Sequence, residues 1–150
     1  MRNTIILMTS LLVSIAATLV YAEDAPAEKS SKEFFDASGG RAPFSGAVRV
    51  GDTLYMSGAL GTKDRKLAEG GTGPETAQAL ENIKARLAEH GLEMSDVVKC
   101  TVFLSDMAEF GTMNEAYMAA FAAPRPTRSA LGVNGLAFNA AVEIECIAAF

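Results

Sequence analysis

The stretch AVRVGDTLYMSG (residues 47–58) places apolar residues at alternate positions: Val48 and Val50 before Gly51-Asp52, then Leu54 and Met56 after it. A period of two marks half-buried strands, and Gly-Asp between them marks a tight turn, so a β-hairpin is predicted here. Residues 59–73 are polar and glycine-rich and read as a loop. Over 74–91 the period changes. Ala77, Leu80, Ile83 and Leu87 form one helical stripe, Thr72 and Glu75 suit a capping box, Pro74 suits the first turn, and Gly91 is a natural stop. Residues 96–106 predict a strand. Residues 110–121 predict a second helix with Phe110, Met113, Tyr117 and Phe121 on one face, ended by Pro124 and Pro126. Residues 127–133 and 141–150 predict the last strands.

The order is β-β-α-β-α-β-β. It predicts an α+β domain with two helices on one face of a mixed sheet. The other sheet face is left to cover, and further copies of the same chain can cover it.

The N-terminus follows a different pattern. Residues 1–22 carry Arg2, then an apolar run, then Val20-Tyr21-Ala22 as a small-x-small cleavage site. This is a signal-peptide pattern, with an uncleaved anchor helix as the alternative. Export to a periplasm or the medium is expected, with no membrane attachment after cleavage. Residues 23–41 are mostly polar and are expected to be a flexible leader, leaving residues 42–150 as the folded domain.

Charge narrows the partners. The chain has 13 Lys+Arg and 18 Asp+Glu; without Arg2 the mature chain has 12 against 18, a net charge of −6. No basic stripe is present, so nucleic acid is not expected as a partner. The two cysteines, Cys100 and Cys146, lie in strand-like runs: Cys100 shares a face with Val98, Val102 and Leu104, and Cys146 with Val142 and Ile144. An exported protein can keep a disulfide, but the apolar faces favour two buried free thiols.

Familiar catalytic sets are missing. The one histidine, His90, sits at the end of the first helix, where the helix dipole accounts for it. The sequence has no Ser-His-Asp set, no glycine-rich cofactor fingerprint, no phosphate loop and no metal-ligand spacing, so no cofactor and no metal are expected. Two residues remain as candidates. Arg128 is a permanent cation with a planar fork suited to a carboxylate. Glu143 alternates with the apolar face of the last strand and shares its own face with Glu145; a solvated acidic pair gives the same pattern.

The ordered series APFSGAVRVGDTLYMSG, TAQALENIKARLAEHGLEMSDVVKCTVFLSDM, MNEAYMAAF, RPTRS and VEIECIAA covers residues 42–149. It closely resembles the RidA (YjgF/YER-type) family of reactive-intermediate deaminases. The resemblance implies a chorismate-mutase-like α+β fold and a homotrimer with three clefts between subunits. It also implies cofactor-free hydrolysis of enamines and imines to ketones or keto acids with release of ammonia. The expected ligand at the subunit interface is a small carboxylate-bearing imine or keto acid. The family's carboxylate-binding arginine falls on Arg128, and its water-activating glutamate on Glu143. Its cleft serine and glycine fall on Ser57 and Gly58, and its asparagine on Asn114. Phe44 stands where the family has a tyrosine, Ala59 where it has a glutamine, and Ala130 where it often has a cysteine. Two other functions compete with the enzyme: a carboxylate-binding module using Arg128 without turnover, and an interaction or chaperone-like trimer.

Overall fold

A computed structural model describes residues 31–37 and 39–150. The signal-like residues 1–22 lie outside the described residues. Within them no helix is long and apolar enough to cross a membrane.

The predicted hairpin forms as β2 (Ser45–Val50) and β3 (Thr53–Met56), paired antiparallel around Gly51. Gly51 has a φ of 58°, a left-handed conformation that glycine adopts without steric cost. Upstream, β1 (Lys32–Asp36) pairs antiparallel with β2, so five residues of the expected leader form the edge of the sheet. The expected loop 59–73 is also more regular than its composition suggests. It contains β4 (Ala59–Leu60) and a small hairpin of β5 (Thr62–Lys63) and β6 (Lys66–Leu67). That hairpin turns through Asp64 and Arg65, both with positive φ (52° and 64°), the geometry that matches the twist of paired strands.

Helix α1 (Thr72–Glu89) buries Leu80, Ile83 and Leu87 as the stripe predicts, but Thr76 and Ala79 complete the buried face and Ala77 is exposed. The predicted capping box is absent. Gly71 precedes the helix, the Thr76 hydroxyl donates to the Thr72 carbonyl (2.6 Å), and the Glu75 carboxylate turns away to accept from the backbone N–H of Ala141 (2.8 Å). His90 caps the helix end, its ring 4.3 Å from that of Phe35.

Strand β7 (Val97–Leu104), helix α2 (Phe110–Ala120), strand β8 (Thr127–Gly132) and strand β9 (Val142–Ala149) follow. The sheet order is β1-β2-β3-β9-β7-β8, with β4 also paired to β9. Among the described residues only β7 and β8 run parallel, joined through α2 as a parallel crossover requires. Both helices lie on one face. Val142, Ile144, Cys146 and Ala148 of β9 join Leu80, Ile83, Met113 and Tyr117 in one core. The opposite face exposes Tyr55 and Leu131 and half-exposes Phe103 and Ile147, with no helix over it among the described residues. The α+β fold with a mixed sheet and two helices on one face is as predicted.

Two strand details depart from simple alternation. The β7–β9 register shifts between Val97 and Lys99, so Val97 is buried and Val98, expected inside, is exposed. Cys100 and Cys146 are buried, each 1% exposed, but they are not free thiols: they form a disulfide. The pairing of β7 with β9 sets the two residues directly opposite, with Cα atoms 4.1 Å apart. Close pairs of this kind face each other across antiparallel strands and bring their side chains together.

Candidate active site

Glu143 projects from the second position of β9, between Leu60 of β4 and Phe103 of β7. Its neighbours Val142 and Ile144 point into the core, so alternation directs Glu143 to the other face of the sheet. The chain passes close beside it at Gly58, between β3 and β4. A β-carbon at Gly58 would run into the Glu143 carboxylate and force that side chain to shift, so glycine suits this close approach. Partial burial raises the Glu143 pKa, and the negative charge of Glu145 raises it further. A carboxyl group poised above the usual range is suited to accept a proton and give it back.

Ser57 fixes the approach to Gly58 at three points. Its N–H donates to the Gly46 carbonyl (3.0 Å), its hydroxyl donates to the Ser45 carbonyl (2.6 Å), and its carbonyl accepts from Arg86 Nη1 (2.9 Å). The Ser57 hydroxyl is therefore engaged with the backbone of β2. Burial lowers the Arg86 pKa, with Glu89 acting in the opposite direction. Phe44, Gly58, Ala59, Leu60 and Phe138 line a shallow cleft beside these residues.

Arg128 lies on β8, opposite Cys100 of β7, and its side chain reaches the helix side. Nη2 donates to Asn114 Oδ1 (2.8 Å), Nη1 lies 3.9 Å from the sulfur of Met113, and the guanidinium carbon sits 4.5 Å from the ring centre of Tyr117 and 5.7 Å from that of Phe110. These groups hold the fork in one orientation, and aromatic faces favour the cation. Among the described residues Arg128 forms no ion pair. Asn114 orients the arginine through the Nη2–Oδ1 hydrogen bond. The Tyr117 hydroxyl is buried without a hydrogen-bond partner among the described residues, and burial raises its pKa against the pull of Arg128.

The two principal residues are thus not brought together within one chain. Glu143 and Gly58 occupy one face of the sheet, with Phe44 at the cleft beside them. Arg128 and Asn114 occupy the other face, at the β8 edge, with β7 between the two strands that carry Arg128 and Glu143. The endoribonuclease L-PSP family model matches residues 35–150.

The chain belongs to that family.

Its members include proteins named for the deaminase activity that the RidA resemblance implies. The chain is 43% identical over 108 residues to the 2-iminobutanoate/2-iminopropanoate deaminase of Mus musculus, covering 71% of this chain and 80% of that protein. It is 40% identical over 108 residues to Reactive Intermediate Deaminase A, chloroplastic, of Arabidopsis thaliana; that match spans 71% of this chain and 58% of the longer plant protein. Among solved structures, RidA from the Antarctic bacterium Psychrobacter sp. PAMC 21119 superposes with a TM-score of 0.71 at 35% identity, covering 82% of this chain and 99% of that one.

Three residues to which the sequence assigns no role at the site belong to its surroundings. Glu75 anchors the start of β9 through Ala141, two residues before Glu143. Arg86 holds Ser57. Phe138 lines the cleft from a turn with no hydrophobic period. Periodicity marks buried faces, so a ring on an irregular turn carries no such signal.

Proposed function

We propose that this protein is a cofactor-free hydrolase that converts reactive imines and enamines into keto acids or ketones, releasing ammonia. The observation that carries the reading is the Glu143 carboxyl, held against Gly58 and raised in pKa. Glu143 takes a proton from water as the water oxygen bonds to the imine carbon, and the proton passes to nitrogen. The carbinolamine then gives its hydroxyl proton to the same carboxylate, which passes it to the amine nitrogen as the C=O bond forms and the C–N bond breaks, so that ammonia leaves. An enamine first takes a proton at carbon to become the imine. The substrate carboxylate pairs with the Arg128 fork.

The working unit in this reading is a homotrimer. Arg128, oriented by Asn114, comes from one subunit; Glu143, Gly58, Ser57 and Phe44 come from the next. Two features support it: the opposite-face placement of Arg128 and Glu143, and the sheet face left bare at Tyr55 and Leu131. A carboxylate-binding module needs Arg128 but gives no role to a perturbed acid at Gly58. The acidic composition disfavours a nucleic-acid substrate.

The same proposal places the mature protein outside the cytoplasm. The signal-like residues 1–22 support this, and so does the Cys100–Cys146 disulfide, because such bonds persist in oxidising compartments. The deciding experiment is ammonia release from imino acids generated in situ, comparing the parent with Glu143→Gln. Unchanged turnover in that variant sinks the enzymatic reading.

A further inference from the structure

Phe138 is 81% exposed, and its backbone is left-handed (φ 58°, ψ 19°), as is that of Asn139 (φ 58°). For a bulky residue this conformation is costly, and it persists only where the surroundings enforce it. They do so here. Asn139 N–H donates to the Leu136 carbonyl (3.2 Å) and Ala140 N–H to the Ala137 carbonyl (3.1 Å). Ala141 is then fixed on both sides: its N–H donates to Glu75, and its carbonyl accepts from the Ser105 N–H (3.0 Å). The turn thus presents an aromatic ring to solvent from a short segment tied to the start of the strand that carries Glu143.

The ring does not stand alone. Phe138 forms a wall between the cleft beside Gly58 and a second hollow lined by Arg65 and Leu67 of the β5–β6 hairpin. Phe44, itself 58% exposed, lines the same cleft from a separate segment. The polar side chains lining that cleft are largely engaged elsewhere. Both ends of the Asn82 amide are used, donating to the Leu60 and Thr62 carbonyls (2.9 Å each) and accepting from Gln78 Nε2 (2.9 Å), while Arg86 holds the Ser57 carbonyl. What the cleft offers a ligand is two aromatic rings and the aliphatic surface of the half-buried Leu60.

We infer that Phe44 and Phe138 form a side-chain subsite selecting imines that carry an aromatic or large apolar group over imines of small amino acids. The inference rests on the deaminase reading for the place of Glu143 beside the subsite; the selectivity follows from the rings. A flat apolar group gains offset or edge contacts with both rings, whereas a methyl group reaches neither.

The test uses binding and turnover on the same purified protein. Phenylpyruvate and pyruvate are titrated calorimetrically into the parent, Phe138→Ala, Phe138→Leu and Phe44→Ala. Ammonia release is followed with imines generated in situ from phenylalanine and alanine by an amino-acid oxidase. The parent is expected to favour the phenyl ligand and the phenyl imine roughly tenfold or more, since even one methylene in an apolar pocket discriminates by about that factor. Each alanine variant should erode the ratio severalfold, and Phe138→Leu should retain most of it. A binding preference without any turnover leaves the subsite standing and removes the deaminase reading. Equal affinity for the two keto acids, or a preference unchanged in both alanine variants, overturns the subsite.

Discussion

Glu143 and Glu145 stand on the same face of β9, and the charge of Glu145 makes the Glu143 carboxyl harder to ionise. Burial is the larger cause and acts in the same direction. A general base must be ionised to work, so turnover falls as pH drops through the raised Glu143 pKa. Glu145→Gln removes the second cause and leaves the first, so the acid limb of the pH–rate profile should move to lower pH with the plateau kept. Profiles of parent and variant on one imine check this; coincident acid limbs, or a shift to higher pH, contradict it.

Glu143→Gln gives a kinetic and a stability outcome together. Removing one positioned acid/base group costs about 10²–10⁴ in rate, whereas Glu145→Gln should stay near the parent plateau. The sign of the stability effect follows from the same shift. A raised folded-state pKa means that the charged form is disfavoured in the fold, so Glu143 destabilises the protein above its unfolded-state pKa and ceases to do so once protonated. Glu143→Gln should therefore melt higher than the parent at neutral pH, with the difference shrinking as pH falls. Thermal melts at several pH values, alongside ammonia-release rates, separate this from a general loss of fold.

The disulfide supplies a third expectation. Denatured but unreduced protein should show no reactive thiol, and reduction should lower the melting temperature. The bond closes a sequence separation of 46 residues, and loops of that size are stabilised by roughly 2–4 kcal/mol when cross-linked. Recovery of two titratable thiols from unreduced protein would restore the buried-thiol expectation.

The cysteines show where sequence reasoning stops. Alternation placed Cys100 and Cys146 on buried strand faces, and both are buried. Their partnership depends on the register between β7 and β9, which no pattern within either strand specifies. The helix stripe at Leu80, Ile83 and Leu87 was legible because burial of α1 follows a period close to 3.6 residues. The capping box was not, because Glu75 finds a long-range partner at Ala141. Strand β1 was hidden by its polar flanks, although Phe34 and Phe35 interrupt them. The family motifs pointed to Arg128 and Glu143 together. Their separation onto opposite faces emerges only from the sheet order and from the contact between Arg128 and α2.

That separation yields the sharpest test of the shared site. If each cleft takes Arg128 from one subunit and Glu143 from its neighbour, Arg128→Ala and Glu143→Gln are each nearly inactive as pure proteins. Mixed trimers behave differently. A cleft is intact whenever its arginine comes from a Glu143→Gln subunit and its glutamate from an Arg128→Ala subunit. In a ring of heterologous contacts assembled at random from equal amounts, about a quarter of the clefts meet that condition. Co-refolding or co-expressing the two variants should therefore restore about a quarter of the parent rate, whereas mixing folded proteins without subunit exchange should restore little. A site built within one chain predicts no rescue at any ratio, because every subunit then lacks one of the two groups. Sedimentation of the mixed sample, run beside the assay, confirms that mixed assemblies of trimer size are present. Under that condition, an absence of rescue rejects the intersubunit cleft.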